Sequence, residues 1–467
     1  MIKFLHIADI HLGCRRYNLE ERPQDFFRAW NDVIERYVLP NSLDFVLIAG
    51  DFFNARKVDP QTMNHAMIGL QTLRDARVPV LAIEGNHDMH EATTSFSWMR
   101  SLSQWGFLKL LEPSRDGEGR IVMTPWDEES RSGSYVDVAG ARVFGSHWYG
   151  TSANAAMGIL ADAIRRAETP GLFNILMLHT DVEGQINRPI PALSVERLKE
   201  LRSLVHYVAL GHTHKRFEVD GWAFNPGSLE ACTIDEYREE RGLYLVTIDD
   251  QHHVMAQHIR DYIQRPFQRL TFDVSGALDA EAVHLGAMEV VEREARRHDE
   301  DAGGPAPIIE VTLRGHLGFK NSLLDLSQLR EAARSLTGAL HVMVRNQSVP
   351  VEYAVAAGLD GDTSRELRER RIIEDLIARD MRFRDRASDM AALVLEAKRM
   401  ALSDEPAAEI LSLIQQRLET GVRKTTEAIQ PHEVEVAAPA SAVRAIERSA
   451  GRVVEAIGSQ LSAVGEN

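Results

Sequence analysis

Short apolar runs rich in Val, Ile and Leu recur through the first half of the chain: Phe4–Ala8, Phe45–Ala49, Val78–Ile83, Leu172–Leu178 and Tyr207–Leu210. Runs of this length, with little polar alternation, are the pattern of strands buried on both faces of an α/β sheet. Each is followed closely by residues able to bind a metal: Asp9-Ile10-His11, Gly50-Asp51, Gly85-Asn86-His87-Asp88, His179 and Gly211-His212-Thr213-His214. In open α/β sheets the working groups collect beyond the carboxyl ends of the strands, so these five segments are expected to share one edge. Two stretches with helical spacing follow the second and third motifs. They are Gln61–Arg74, with Met63, Met67, Leu70 and Leu73, and Thr93–Leu102, with Phe96, Met99 and Leu102. Their apolar faces are suited to covering a sheet.

Around Arg265-Pro266-Phe267 the pattern changes. A strand at Arg269–Val274, a helix at Asp279–Arg297, an Asp/Gly/Pro-rich turn at Asp299–Pro307, a strand at Ile308–Leu313, a helix at Ser327–Leu336 and a strand at Leu340–Val344 predict a small α+β domain. From Ser364 the spacing is helical. Leu367, Ile372, Ile373, Leu376 and Ile377 mark one helix, and Met390, Leu393, Val394 and Ala397 a second. A third starts at Ser403 or Asp404, ahead of Pro406, and carries Ile410, Leu411, Ile414 and Leu418. Gln430–Ala440 reads as a linker, and Val443, Ile446, Ala450, Val453, Ile457, Leu461 and Val464 then recur at helical spacing. This gives four regions: 1–262, 263–360, 361–425 and 426–467, the last a linker with an amphipathic helix of unassigned role.

The polar segments fit one chemistry. Carboxylate, imidazole and amide donors suit Mn, Fe or Zn better than Ca or Mg, which prefer nearly all-oxygen shells. Two such ions roughly 3.5–4 Å apart need a bridging carboxylate and clamp both oxygens of a phosphoryl transfer. Asp51 is the natural bridge. Asp9, His11 and His214 complete one position, and Asn86, His179 and His212 the other. His87 stands beside them, free to protonate or stabilise a departing oxygen. Asp88 either orients His87 or holds its own turn. An isolated histidine in an apolar run, such as His6 or His206, reads as a satisfied core residue. Cys14 fits a small buried thiol as well as it fits a ligand.

Length and composition narrow the setting. With 467 residues, the chain exceeds a single core. Two cysteines, Cys14 and Cys232, imply no disulfide framework and suit a reducing cytoplasm. The chain opens directly on a strand without a basic-then-apolar leader, and no run approaches the roughly 18 apolar residues of a membrane span. A cytoplasmic protein without a membrane segment is expected. The formal net charge of −16 is opposite to the basic footprint of a simple nucleic-acid binder. Tight DNA binding would then depend on a partner. Locally, Arg15-Arg16 follow the first motif and Lys215-Arg216 the last, each pair serving either as a flank to the metals or as a solvated loop.

In this order the motifs resemble the calcineurin-like metallophosphoesterase superfamily. The longer strings Asp9–Gly13, Asp25-Phe26-Phe27, Asp44–Phe53, Val208–Phe217 and Phe224–Glu230 look like the SbcD-type nuclease subunit of the SMC-like ATPase–nuclease complexes of double-strand-break repair. The resemblance is specific over Met1–Asp261 and looser beyond. It implies an α/β fold, a two-sheet metallophosphoesterase sandwich flanked by helices, followed by a small α+β cap domain that contacts DNA and a C-terminal helical segment that grips the coiled-coil ATPase. It implies Asp9, His11, Asp51, Asn86, His179, His212 and His214 as ligands of two Mn ions, with Fe or Zn as substitutes, and His87, supported by Asp88, as catalytic. Arg314, Lys320 and Arg345 would face the cap cleft or solvent. The helices after the second and third motifs would build a symmetric homodimer.

One place departs from many repair relatives, which carry a histidine three residues after the Gly-Asp aspartate to help position the phosphate. Here it is Asn54, so substrate positioning falls to Asn54, Arg15 and Arg16. The implied activity is a Mn-dependent DNA nuclease acting on DNA ends in repair or defence, a 3′-to-5′ exonuclease with endonuclease action left open. Two alternatives stand beside it: a metallophosphoesterase of cyclic nucleotides or phosphomonoesters, and a DNA-end tether whose metal site is nearly idle.

Overall fold

The computed structural model describes residues 1–90, 96–185, 191–298, 304–349, 365–378, 383, 386–403 and 405–427, and the chain divides into two compact units, Met1–Ala354 and Val355–Asn467. In the first unit, strands β1 (Ile2–Ile7), β2 (Phe45–Ala49), β3 (Val80–Ile83) and β4 (Lys109–Leu110) lie side by side and parallel. Two antiparallel strands, β13 (Leu243–Ile248) and β14 (Val254–Ile259), extend the β1 edge. A second sheet contains β7 (Tyr135–Val138), β8 (Ala141–Phe144), β9 (Phe173–His179), β10 (Tyr207–Gly211), β11 (Phe217–Val219) and β12 (Ala223–Asn225). Its order is β11-β12-β10-β9-β8-β7, with β8, β9, β10 and β12 parallel. A short hairpin, β5 (Ser114–Arg115) and β6 (Ile121–Val122), stands apart.

The sheets face each other across one apolar layer. Phe4, Phe45, Leu47 and Leu81 of the first meet Val143, Phe173, Ile175, Met177 and Tyr207 of the second. The outer faces are covered by helices, α1 (Arg22–Val33) and α2 (Pro60–Asp75) on the first sheet and α4 (Ala153–Ala167) on the second. Both faces of each central strand are therefore buried, as the unbroken apolar runs require. Each side chain of this layer contributes roughly 1.5–3 kcal/mol by leaving water.

Local signals set the helix ends. Asp59 accepts the Thr62 amide and Pro60 occupies the first turn of α2, a pairing that starts a helix sharply. Among the described residues helix α3 runs Trp98–Gln104, where Ser97 caps it by accepting the Arg100 amide. Residues 93–95 lie outside the described residues. A last short helix of this part, α5, spans Val195–Lys199. His6 and His206 are satisfied core residues. His6 accepts from the Tyr207 hydroxyl at 2.9 Å and donates to the Leu210 carbonyl at 3.0 Å, and His206 Nδ1 accepts the Asn174 amide.

The rest of the first unit is a three-stranded parallel sheet, β15 (Phe267–Asp273), β16 (Ile308–Arg314) and β17 (His341–Asn346), with α6 (Ala280–Glu294) and α7 (Leu326–Thr337) as its crossovers. A separate apolar core holds it, including Leu270, Val291, Val311, Leu313 and Leu329. The second unit carries α8 (Arg365–Ala378), α9 (Ala387–Leu402) and α10 (Ala407–Glu427). The linker expected at Gln430–Ala440 and the amphipathic stretch from Val443 lie outside the described residues, as does Asp404. Among the described residues no helix is long and apolar enough to cross a membrane.

Candidate metal centre

Strands β1, β2 and β3 are neighbours in one sheet, β9 and β10 neighbours in the other, and the residues at their carboxyl ends converge. The chain turns there through left-handed backbone at Asp9 (φ 52°), His11 (φ 50°), Asp51 (φ 52°) and His212 (φ 89°). None is glycine, so each such residue stores strain of order 1–3 kcal/mol that the surrounding structure must offset. The offset is visible in main-chain pairing beyond the strand ends: Asp9 N–H to the Gly50 carbonyl at 3.1 Å and His11 N–H to the Asp51 carbonyl at 3.0 Å. The sheets are tied together where His179 donates from Nδ1 to the Ala49 carbonyl at 2.8 Å. Gly85 is required by space: a Cβ there would sit 2.1 Å from Asp51 Oδ1.

The expected ligand residues converge. Ligand atoms of His11, Asp51 and His87 lie within 4.8 Å of one another, as do those of Asp51, His179 and His212. Asp51 belongs to both groups, the placement a bridging carboxylate needs. Its Oδ2 lies 3.3 Å from His179 Nε2 and 3.8 Å from His11 Nε2. His11 Nε2 and His214 Nε2 face each other at 2.9 Å, with Asp9 Oδ1 3.9 Å from His11 Nε2. Asn86 Oδ1 lies 3.2 Å from His179 Nε2. Both Asp9 oxygens accept the His212 amide.

This donor set fits divalent cations. Donation by His179 Nδ1 to Ala49 and by His214 Nδ1 to Glu236 Oε1 at 3.1 Å fixes both rings with Nε2 as the free lone pair, as metal-ligating imidazoles require. Two imidazole nitrogens facing at 2.9 Å suit a shared cation better than each other. The buried Nδ1 of His11 has no hydrogen-bond partner among the described residues. Asp9, His11, Asp51 and His214 could hold one ion, and Asp51, Asn86, His179 and His212 the other, in the mixed nitrogen and oxygen environment of Mn, Fe or Zn.

Burial and close charges shift several of these groups strongly, the kind of perturbation that clusters at functional sites. Burial pushes the Asp9 carboxyl up while His179 and His214 pull against it. Burial also acts on Asp51, but His179 and His11 overcome it and hold Asp51 well below the usual carboxylate range. His11 is driven down by burial and by His214 beside it. His179 goes the other way: burial opposes, yet Asp51 raises it to about 9.

His87 stands at the rim, its ring 4.9 Å from that of His11 and nearly perpendicular to it. Its Nδ1 donates to the backbone carbonyl of Asn54 at 2.8 Å, which leaves Nε2 as the working atom. Asp88 faces elsewhere. Its carboxylate accepts the amides of Gly85 and Phe52, each at 2.7 Å, so it holds the turn that presents Asn86 and His87. Asn54 thus serves through its main chain, a role its side-chain type did not signal.

The basic residues divide. Arg15 pairs with Asp59 at 3.3 Å and is half exposed, and Arg16 is exposed in the adjoining 3-10 turn Arg16–Asn18. Arg216 donates to the Tyr244 hydroxyl and Lys215 lies 3.8 Å from Glu239. Arg345 lies 3.2 Å from the buried Glu310. Three residues that the sequence reading missed support the centre. Glu236 holds His214. Asp181 accepts from the Thr213 hydroxyl at 2.7 Å and lies 3.5 Å from His212 Nε2. Cys232, not Cys14, brings its sulfur within 4.8 Å of the His11 and His214 ligand atoms. Both thiols are free and buried, and the hydrogen bond with Cys232 draws Cys14 down to about 7.

The chain matches the family model of the calcineurin-like phosphoesterases over residues 2–216. It is similar to the DNA double-strand break repair protein Mre11 of Archaeoglobus fulgidus, 31% identical over 253 residues that cover 51% of this chain and 54% of that protein. The protein of that name from Aeropyrum pernix is 26% identical over 370 residues, 77% of this chain and 82% of the relative. That from Methanocaldococcus jannaschii is 30% identical over 255 residues, 52% and 62% respectively. The aligned part thus spans about half the length of the Archaeoglobus relative and most of the Aeropyrum one. The matched residues 2–216 include all five strands, β1, β2, β3, β9 and β10, whose carboxyl ends carry the candidate ligands.

Proposed function

We propose that this protein is a two-metal phosphodiesterase that cleaves DNA at ends, with Mn as the working metal and 3′-to-5′ exonuclease polarity. The observation that carries the proposal is the convergence of Asp9, His11, Asp51, Asn86, His179, His212 and His214 from both sheets, with His87 at the rim. Bound divalent ions would neutralise the phosphate oxygens and activate the attacking water. The chain's own contribution is placement. Asp51 spans the two positions, Ala49 and Glu236 orient His179 and His214, and Asn54 aims His87 Nε2 at the departing oxygen. A proton held there would pass to the leaving 3′ oxygen. DNA as the substrate is supported by similarity to proteins named for double-strand break repair.

Assembly follows the same reading. Helices α8 to α10 leave Ile372, Leu376, Val394, Leu402 and Leu411 substantially exposed, which favours docking on a coiled-coil ATPase. Ile68 of α2 and Trp98 and Trp105 at the two ends of α3 are also exposed, which supports a homodimer through these helices. Arg314, Lys320 and Arg345 of the cap sheet and its loops, with Arg15 and Arg16, are the cations we assign to a DNA backbone, Arg15 and Arg345 while also paired with Asp59 and Glu310.

The test is a substitution at the rim. His87→Ala is expected to bind Mn as the parent does and to lose DNA cleavage by a factor of roughly 10²–10⁴. Unchanged turnover would remove His87 from the mechanism. A cyclic nucleotide cleaved faster than duplex DNA would move the protein to the small-substrate reading, and DNA bridging that survives metal removal would move it to the tether.

A further inference from the structure

The turn after β12 touches the metal centre on one side and the cap sheet on the other. Glu236, largely buried, accepts from His214 Nδ1 through Oε1 at 3.1 Å and from the Cys232 amide through Oε2 at 2.9 Å. The residues on either side of it are both held by Arg269 of β15. The guanidinium donates to Asp235 Oδ1 at 2.6 Å and lies over the Tyr237 ring at 5.2 Å. Arg269 is itself fixed from behind, donating to the buried Glu310 of β16 at 2.6 Å. A second tether runs in parallel. The Ile234 amide donates to the Tyr17 hydroxyl at 2.6 Å, and the Tyr17 ring stacks on His341 of β17 at 5.6 Å.

We infer that Glu236 is a positioning residue for the His214 metal position and that Arg269 sets Glu236, so the seating of the cap sheet tunes the affinity of that position for a divalent cation. The inference rests on the proposed metal centre. A carboxylate on Nδ1 fixes the ring and raises the basicity of Nε2, and losing such a partner typically weakens metal binding about 10–100-fold. By linkage, a cation bound at His214 strengthens the Arg269–Asp235 contact by the same factor that the contact strengthens binding.

The experiment is calorimetric titration of the full chain with Mn²⁺, together with ¹⁵N signals of the His214 ring in metal-free protein. Glu236→Ala should weaken one of two sites roughly 10–100-fold and lose the Nδ1–H signature. Glu236→Gln, which keeps one acceptor oxygen for Nδ1 but loses the charge and the second acceptor, should retain the Nδ1–H signature and weaken the site less than Glu236→Ala. Asp235→Asn should weaken the same site roughly 2- to 30-fold, the range of coupling through packed contacts, without unpairing Glu310. In the Glu236→Ala background Asp235→Asn should have no further effect. Two wild-type sites left unchanged by Glu236→Ala, equal effects of Asp235→Asn in both backgrounds, or lowered apo stability with an unaltered His214 signature would each overturn the inference. A wild-type chain that binds no Mn²⁺ would instead overturn the metal centre itself.

Discussion

Gly85 and His6 show how much a single position decides. A methyl group at Gly85 would occupy the space of Asp51 Oδ1, so Gly85→Ala is expected to weaken Mn²⁺ binding at least about tenfold and to cost roughly 1–3 kcal/mol of stability. Metal titration and urea unfolding measure both, and parental Mn²⁺ affinity in the variant would contradict the crowding. His6 is fully buried, and burial pushes its pKa down to about 3, against a raising hydrogen bond to Leu210. The unfolded chain then takes up this proton near the ordinary histidine value of 6.5 while the folded chain does not. Stability is full above that value and falls as pH drops toward 3, at up to about 1.4 kcal/mol per pH unit. His6→Gln should flatten the slope of the urea midpoint between pH 6.5 and pH 4 by one proton. An unchanged slope would mean that His6 takes up its proton in the folded chain. At this scale the residues that converge at the candidate centre were legible because they follow apolar runs at short range. Glu236, Asp181 and the Asn54 carbonyl were not, since each acts on a motif distant in sequence and one acts through its backbone.

Elements are held by pairings of the same long-range kind. Asp25, read in the sequence only as part of a string, accepts from Arg22 at 2.6 Å on its own helix α1. It also accepts two hydrogen bonds from Arg265 at the entrance to β15. All three side chains are buried. Removing the one carboxylate leaves two guanidinium groups without their partner, a change expected to cost about 3–5 kcal/mol. Asp25→Ala should therefore lower the urea midpoint by that equivalent, and a loss below about 1 kcal/mol would show that water reaches the clamp. The central strands and longer helices were legible because burial on both faces and helical spacing leave strong patterns, and β2 runs Phe45–Ala49 as expected. Strands β4, β5 and β6 have two residues each, too few for any period to register. Strand β1 begins at Ile2, where the sequence opens on a strand, and pairs there with Ile248 of β13, far along the chain. That partner cannot be seen in the local pattern.

For the whole molecule, the proposed function carries a consequence of charge: a chain of net charge −16 that acts on DNA would depend on its assembly for recognition rather than on one broad basic face. If α2 and α3 form the dimer face, light scattering should give twice 52.4 kDa at micromolar concentration. A monomer there would contradict it. The two-sheet sandwich was legible through resemblance, and the shared edge of the candidate ligands through the apolar runs that precede them, because these motifs are local strings. The contact between the cap sheet and the turn that holds His214 had no such string. The most direct measurement is cleavage of an end-labelled DNA duplex by the purified chain with Mn²⁺, with chelator, and with His87→Ala. Shortening that needs Mn²⁺ and disappears in both controls is the expected result. Cleavage that persists in chelator or in His87→Ala, or intact duplex despite two bound Mn²⁺ ions, would contradict the proposed function.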